Sequence, residues 1–158
     1  MKKIASFLLI IILLISCTQE ITRNNPSLQG LKDGILWRAR DAQAVLNSSG
    51  GITITGLTQY ETLTLTTNSF QPQTYVLGTS SSRRATYEII NAGVTLNYAT
   101  GANVGDGQIV ITEYDDTNNT ISGTFRFNAH NLGNNPDEPQ IINYQSGVFY
   151  KIPVTPSI

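Results

Sequence analysis

The chain has 158 residues, of which 40% are hydrophobic and only 13% charged, whereas a soluble domain averages about a quarter charged residues. Ten Lys plus Arg against eleven Asp plus Glu leave one formal negative charge, which argues against a nucleic-acid partner because no basic face is available. One Cys and one His are too few for an ordinary zinc site or a disulfide, so we predict neither a metal nor another cofactor.

The first sixteen residues have the pattern of an export signal. Lys2 and Lys3 precede an apolar run at residues 4–15. This run is too short to cross the roughly 30 Å hydrocarbon core of a bilayer, which takes about 20 residues as a helix. We therefore predict that residues 1–16 are a cleaved signal peptide.

Cys17 follows Leu14, Ile15 and Ser16, an order that resembles the lipobox of bacterial lipoproteins. The resemblance implies a diacylglyceryl group on Cys17, cleavage before it and acylation of the new amine. Membrane lipid is then a partner, because several acyl chains make an anchor effectively permanent. Thr18 stands where the best-known inner-membrane retention signal has Asp. This favours the outer membrane and leaves the periplasmic leaflet and the cell surface open.

A polar tether follows the predicted lipidation site. Residues 17–27 contain Pro26 and show no apolar period, and the ten residues after the Cys reach at most about 33 to 36 Å. Residues 28–158 then form one domain that is long enough for a real core. Without Lys2 and Lys3, eight basic and eleven acidic residues remain, so the exported protein is mildly acidic.

Within the domain the apolar period is two, as in half-buried β-strands. Thr alternates with apolar residues at 52–55 and 62–66, and the clearest alternation covers residues 121–129. Residues 109–114 and 148–152 are apolar at more positions. We expect these two segments to be central strands covered on both faces.

Clusters of Gly, Asn, Asp, Ser and Pro separate the apolar segments, mostly at spacings of 8 to 14 residues, which is typical of a sandwich or barrel. Residues 41–46 fit either a short helix capped by Asp41 or a further strand after a bulge. We predict an all-β fold of about eight to ten antiparallel strands, largely a meander, in a two-sheet sandwich or flattened barrel. A closed up-and-down barrel is the alternative.

Four tyrosines bear on the choice between these architectures, since a sandwich has a filled core whereas a barrel of about eight strands can hold a small ligand. A tyrosine-lined cavity of roughly 300 Å³ or more would favour a carrier of a small apolar molecule. A filled core with an exposed apolar patch would favour a binding module. The tyrosines are Tyr75, Tyr87, Tyr98 and Tyr144.

Three stretches together resemble an uncharacterised family of small Gram-negative lipoproteins. They are residues 30–42 (GLKDGILWRARDA), 114–129 (YDDTNNTISGTFRFNA) and 146–153 (SGVFYKIP). They match the family's DG-x-x-W-x-A opening strand, its YD-x-x-N-x-ISGTF-x-F-x-A hairpin and its closing G-x-F strand. The resemblance implies a domain of unknown function and brings no activity, substrate or catalytic residue. Gly123 in the hairpin indicates a bulge or a close backbone approach.

Few residues are candidates for chemistry. His130, the only imidazole, follows a strand on its polar face, which indicates a solvated histidine rather than a general base. No Gly-x-Ser-x-Gly nucleophile elbow is present. Asp115, Asp116, Asn118 and Asn119 offer oxygen ligands for calcium but lack the spacing of an EF-hand, so a hairpin turn explains them better.

The remaining candidates are carboxylates and one tryptophan. Trp37 indicates a core position, on the face opposite Arg38, rather than a platform for a sugar. Paired carboxylates could hydrolyse a glycan if two of them met at the right separation, but the sequence prefers no pair. The carboxylates are Glu61, Glu88, Glu113, Asp137 and Glu138.

These features together predict a lipid-anchored outer-membrane lipoprotein. We expect a non-catalytic binding or structural module, not an enzyme, with an envelope protein or a glycan as its partner and no nucleic acid. A barrel-type carrier of a small apolar ligand and a carboxylate-based glycan-active enzyme are the alternatives. The oligomeric state stays open.

Overall fold

The computed structural model describes residues 27–133 and 135–156, so the predicted signal peptide, Cys17 and the tether up to residue 26 lie outside the described residues. In the described part no helix is long and apolar enough to span a bilayer. The fold is all-β, as predicted, with eleven strands: β1 (Ser27–Lys32), β2 (Ile35–Arg38), β3 (Asp41–Leu46), β4 (Ile52–Leu57), β5 (Glu61–Thr67), β6 (Gln73–Leu77), β7 (Arg84–Asn91), β8 (Val94–Ala99), β9 (Asp106–Asp115), β10 (Thr120–Asn131) and β11 (Ile141–Pro156).

All eleven strands are hydrogen-bonded into one sheet, in the order β2-β1-β11-β3-β4-β5-β7-β8-β10-β9-β6. An additional pairing joins β10 to β11. The hydrogen bonding of seven strands therefore follows a ring-like path, in the order β3, β4, β5, β7, β8, β10, β11 and back to β3. The hairpin of β1 and β2 extends this ring beside β11, and β9 with β6 extends it beside β10. This arrangement is consistent with the predicted sandwich or flattened barrel.

Two details differ from the prediction. The described strands number eleven rather than eight to ten, and Asp33 and Gly34, expected at the start of the opening strand, form the turn between β1 and β2. Both have positive φ, 50° and 81°, as the two-residue type I′ turn of a hairpin requires. The second difference is one parallel pair, in which Val154 of β11 lies opposite Ala44 of β3. Asp41–Leu46 therefore follows the strand alternative and not the helix.

The sheet bends so that its inner face encloses the core. Leu28 of β1 packs on Gly56 of β4, where a Cβ atom would overlap the leucine side chain, so these two strands face each other across the interior. Tyr87 of β7 meets Tyr144 of β11 in the same way, with ring centroids 5.7 Å apart. Opposite parts of the sheet thus bury the apolar side chains of the same inner face against each other.

The four tyrosines fill this core. Tyr75, Tyr87, Tyr98 and Tyr144 are each at most 2% exposed. Tyr144 also stacks on Phe127, with centroids 4.9 Å apart. The sequence left open whether these tyrosines fill a core or line a cavity, and in the structure they fill the core.

The expectation that residues 109–114 and 148–152 are covered on both faces is wrong. Exposed and buried side chains alternate along β11, where Val148 and Tyr150 are 37% and 43% exposed and Phe149 is fully buried. Residues 109–114 in β9 likewise include exposed positions. These strands are central because β11 and β9 pair along both edges, yet one face of each meets solvent, and their additional apolar side chains lie on that outer face.

Gly123 occupies both a bulge and a close approach, as its sequence context predicted. The pairing of β10 with β9 shifts register between Ser122 and Gly123. A Cβ atom at Gly123 would overlap the carbonyl oxygen of Val110 and the ring of Phe149. The ring of Phe125 lies in the same way over Gly147. Each of the two strands β10 and β11 thus packs a phenylalanine ring on a glycine of the other.

Candidate functional site

One end of the protein is lined by exposed apolar side chains, which we call the apolar rim. Its members flank four turns: β1–β2, β4–β5, β7–β8 and β10–β11. They are Leu31, Ile35, Leu36, Leu57, Tyr60, Ile90, Val94, Leu132 and Ile141. The largest exposed fractions are 74% at Ile35, 66% at Leu36 and 62% at Leu132. Nine of the twelve large hydrophobic side chains that are exposed in the described residues belong to this rim.

The strand register brings these four turns to the same end. Lys32, at the end of β1, pairs with Tyr144 near the start of β11. Glu61, at the start of β5, pairs with Ile89 near the end of β7. The indole of Trp37 in β2 reaches Glu61 across the interior. The exposed apolar side chains that flank these turns are therefore concentrated at one end of the domain.

A partly buried polar network lies beneath the rim, centred on the half-buried Glu61 carboxylate. Trp37 donates its indole N–H to one carboxylate oxygen at 2.8 Å, and the hydroxyl of Thr58 donates to the same oxygen at 3.2 Å. Tyr87 donates its hydroxyl to the other oxygen in a short hydrogen bond. The β4–β5 turn places Glu61, because its backbone N–H donates to the Thr58 hydroxyl at 3.1 Å.

Lys32 covers this network from the side of the rim. Its ammonium group lies 5.5 Å from the centroid of the Tyr87 ring, within cation–π range. It also lies 3.6 Å from the carboxylate of Asp33. Asp33 fixes this turn to β11, since it exchanges two hydrogen bonds of 2.8 Å with the backbone of Asn143.

Burial raises the pKa of both tyrosines in the network far above the ordinary value. For Tyr87 the hydrogen bond to Glu61 and the charge of that carboxylate add to desolvation. For Tyr144 the charge that Tyr87 would carry if ionised and the charge of Glu61 act in the same direction. Both phenols therefore stay protonated, and the Tyr87 hydroxyl acts as a donor to Glu61. With both carboxylate oxygens of Glu61 already engaged, this arrangement is suited to hold the turns of the rim together.

The structure separates the other candidates from this network. Trp37 is 5% exposed and Arg38 lies on the exposed face, as predicted. His130 is exposed at the end of β10, as predicted for a solvated histidine. Glu113 is exposed on β9, and Asp137 is exposed in the loop before β11.

The turn at residues 115–119 uses its own oxygen atoms. The Asp115 carboxylate accepts hydrogen bonds from the backbone N–H groups of Thr117 and Asn118, at 3.0 Å each, and from the Asn118 side-chain amide at 2.7 Å. The hydrogen bond that the Asn118 side-chain amide donates to Asp115 is the main cause of the lowered pKa of Asp115. These contacts are those of a hairpin turn, as predicted. Across residues 27–133 and 135–156 no group of three or more His, Cys, Asp or Glu side chains is placed to hold a metal.

Two of the five candidate carboxylates do share a site. Glu88 of β7 and Glu138 of the β10–β11 loop line one cleft of about 450 Å³. Thr95 and Asn97 of β8 and Leu132 also line it, and because these three are exposed the cleft opens to solvent. No pattern in the sequence favoured this pair.

Sequence reasoning missed the apolar rim and the role of Glu61. The rim did have a signal, because an apolar residue directly flanks a tight turn in several places, as Leu31 and Ile35 flank Lys32, Asp33 and Gly34. No local pattern in the sequence marked Glu61, because its partner Trp37 is 24 positions away. Only the folded chain brings such residues together.

Comparison with known proteins adds a family and no activity. The family described as Domain of unknown function (DUF6252) matches residues 24–153. No curated protein and no solved structure gives a significant match to the chain.

Proposed function

The chain belongs to the DUF6252 family, a domain of unknown function, and from this starting point we propose that it is a lipid-anchored outer-membrane lipoprotein that binds another envelope protein through the apolar rim. The proposal has two parts, an anchor at Cys17 and a binding surface at the opposite side of the domain. The anchor rests on the lipobox pattern that ends at Cys17.

One observation carries the binding role, the concentration of exposed apolar side chains at a single end. Monomeric soluble proteins rarely expose contiguous apolar patches of this kind unless the patch binds something. The network beneath the rim supports this reading, because Glu61, Trp37 and Tyr87 hold three of its strands in fixed positions. A surface that is held rigid before binding loses less entropy when a partner docks.

The filled core favours a binding module over a carrier. Tyr87, Tyr98 and Tyr144 pack on one another with centroid distances of 5.7 and 6.4 Å. They therefore occupy the interior in which a carrier would hold its apolar cargo. An exposed patch remains as the surface available to an apolar partner.

Charge favours a protein over an anionic lipid surface as the partner. The four turns within the rim contain Asp33, Asp137 and Glu138, and the one basic residue beside them, Lys32, is paired with Asp33. Adsorption to anionic lipid depends on basic residues near the surface, and acidic turns oppose it. The matching partner has an apolar face bordered by basic residues. Two acidic copies of this rim would repel each other.

The path of the chain supports the same partner. β1 runs from Ser27 toward the rim and ends at Lys32, so the tether joins the domain on the side away from the rim. A lipid anchor at Cys17 would hold that side near the bilayer. The rim would then face away from the membrane that carries the anchor.

Site-specific photo-crosslinking in intact cells tests the binding role. A benzophenone amino acid at Leu36, in the rim, should give an adduct of one defined mass with a second protein. The same group at Val76, an exposed apolar position on β6 outside the rim, should not. Equal adducts at both positions, no adduct at Leu36, or an adduct of twice the chain's own mass would contradict the proposal.

A further inference from the structure

The cleft of about 450 Å³ has a size typical of small-molecule sites and lies on the outer face of β5, β7 and β8. Its floor is built from side chains that alternate with the buried Leu63 and Tyr87. Thr62, Glu88 and Asn97 are directly opposite one another on the three strands. The register therefore sets a hydroxyl, a carboxylate and an amide in one row, about 5 Å apart.

These polar groups are not used by the protein itself. The side chains of Thr62, Glu88 and Asn97 have no hydrogen bond to any other described residue that meets ordinary geometry, whereas most polar side chains of the nearby turns do. On the opposite wall, Glu138 is oriented by the Asn131 and Asn135 amides at 3.4 and 3.2 Å. The cleft thus offers donors and acceptors to a ligand from two sides.

The charge of the cleft excludes one class of ligand. Its lining contains two carboxylates, Glu88 and Glu138, and no Lys, Arg or His. Among the described residues the one ion pair within 4.0 Å joins Lys32 and Asp33, so neither carboxylate is neutralised. A phosphate, a sulfate or a sugar acid would meet uncompensated repulsion here.

The apolar side chains that line the cleft restrict the class of ligand further. Leu132 of the β10–β11 loop lines the cleft, and Leu96 of β8, which also packs against the core, lines it as well. A sugar ring has hydroxyl groups around its edge and C–H groups on its faces, so it meets a polar row and an apolar wall at once. We propose that this cleft is a binding site for an uncharged oligosaccharide, with Glu88 and Asn97 as the central hydrogen-bonding residues.

Titration calorimetry with named oligosaccharides tests the proposal. The full-length protein is purified in a polyoxyethylene detergent, which carries no sugar headgroup, and titrated with maltotetraose, cellotetraose, chitotetraose and mannotetraose. Tetragalacturonate serves as the anionic counterpart of similar length. At least one neutral tetrasaccharide should bind, and tetragalacturonate should bind on the order of tenfold more weakly or not at all.

Variants locate the binding to the cleft. Glu88→Ala should weaken the bound tetrasaccharide on the order of tenfold, because a hydrogen bond to a charged group is lost. Glu113→Ala removes an exposed carboxylate from β9, outside the cleft, and should leave the affinity unchanged. A melting temperature within error of the parent for both variants shows that each is folded.

Three results would overturn the proposal. They are no binding by any neutral tetrasaccharide, equal binding of tetragalacturonate, and equal effects of Glu88→Ala and Glu113→Ala. The cleft shares Leu132 with the apolar rim, but Leu36 and Glu88 belong to only one surface each, so failure of sugar binding and failure of crosslinking at Leu36 are separate outcomes.

Discussion

The indole N–H of Trp37 donates to the Glu61 carboxylate at 2.8 Å, across the interior between two strands that are not neighbours in the sheet. The tryptophan is almost fully buried, and its one polar atom finds this partner, as buried tryptophans usually do. The contact ties the β1–β2 hairpin to the β4–β5 turn. Two of the four turns of the rim are thereby held at a fixed separation.

The Glu61→Gln variant should be less stable than the parent. Trp37, Thr58 and Tyr87 all donate to the carboxylate, and an amide has only one acceptor oxygen, so at least one buried donor loses its partner. We expect a loss of about 1–3 kcal/mol in the free energy of unfolding, measured by urea denaturation. Glu113→Gln, at an exposed position, should change it by less than about 0.5 kcal/mol. Equal effects of the two variants would contradict the role of Glu61.

Two neighbouring tyrosines should respond differently to loss of their hydroxyl groups. Tyr87→Phe removes a hydrogen bond to a carboxylate and should cost about 1.5–3 kcal/mol of stability. The Tyr144 hydroxyl is buried with no partner that meets ordinary hydrogen-bond geometry. Tyr144→Phe should therefore be neutral or stabilising. Chemical denaturation of both variants measures the difference, and a greater loss in Tyr144→Phe would show that its hydroxyl is engaged.

Stability should fall in alkaline solution, because Tyr87 and Tyr144 have a raised pKa in the folded protein. Below an unfolded pKa of 10.0 both states keep the protons and the stabilisation is full. Above it the unfolded chain releases protons that the folded chain retains, which favours unfolding by up to about 1.4 kcal/mol per pH unit for each tyrosine. Urea denaturation from pH 9 to 11 measures this slope. Tyr144→Phe should reduce it, and an unchanged slope would contradict the assignment.

The anchor is tested by the Cys17→Ala variant. Without the thiol no diacylglyceryl group can be attached, and we expect the protein to leave the membrane pellet for the soluble fraction. Cell fractionation with an immunoblot measures the change, and Thr18→Ala serves as a control that keeps the cysteine. Pelleting of Cys17→Ala to the same extent as the parent would refute lipid anchoring.

Two glycines should differ sharply in their tolerance of alanine. Gly123→Ala places a methyl group on the Val110 carbonyl oxygen and the Phe149 ring, so we expect a loss of about 1–3 kcal/mol from overpacking. Gly101→Ala meets no atom within 4 Å and should be nearly neutral. Thermal unfolding of both variants compares them. A tolerated Gly123→Ala would mean that β9 and β10 can separate at the bulge.

The alternation of residues along the chain predicts much of this fold. Thr next to Ile or Leu at 52–55 and 62–66 gives β4 and β5, and residues 121–129 fall within β10, because a period of two is a local property. The Asp33–Gly34 turn was also readable, since Asp-Gly is a hairpin signal. The opening strand was nevertheless predicted to begin at this pair, and the turn was not recognised.

Long-range pairing could not be read in this way. Nothing in the local pattern of β3 shows that Ala44 will lie beside Val154, because the choice of partner depends on the packing of the whole sheet. The same limit applies to the site. The sequence contains Glu88 and Glu138 among five candidate carboxylates, but only the register of β7 and the course of the β10–β11 loop bring these two to one cleft.

The shared use of β11 bears on the order in which this protein folds. β11 is the last described strand in chain order, yet it supplies hydrogen-bond partners to β1, β3 and β10. A chain that emerges N-terminus first therefore presents β1 and β3 with an unpaired edge until β11 has followed. Pairing over such sequence distances is slow, because the loop entropy is lost before the contacts form. Until β11 is available these open edges can pair with other chains, and the described fold is complete only once β11 has joined them.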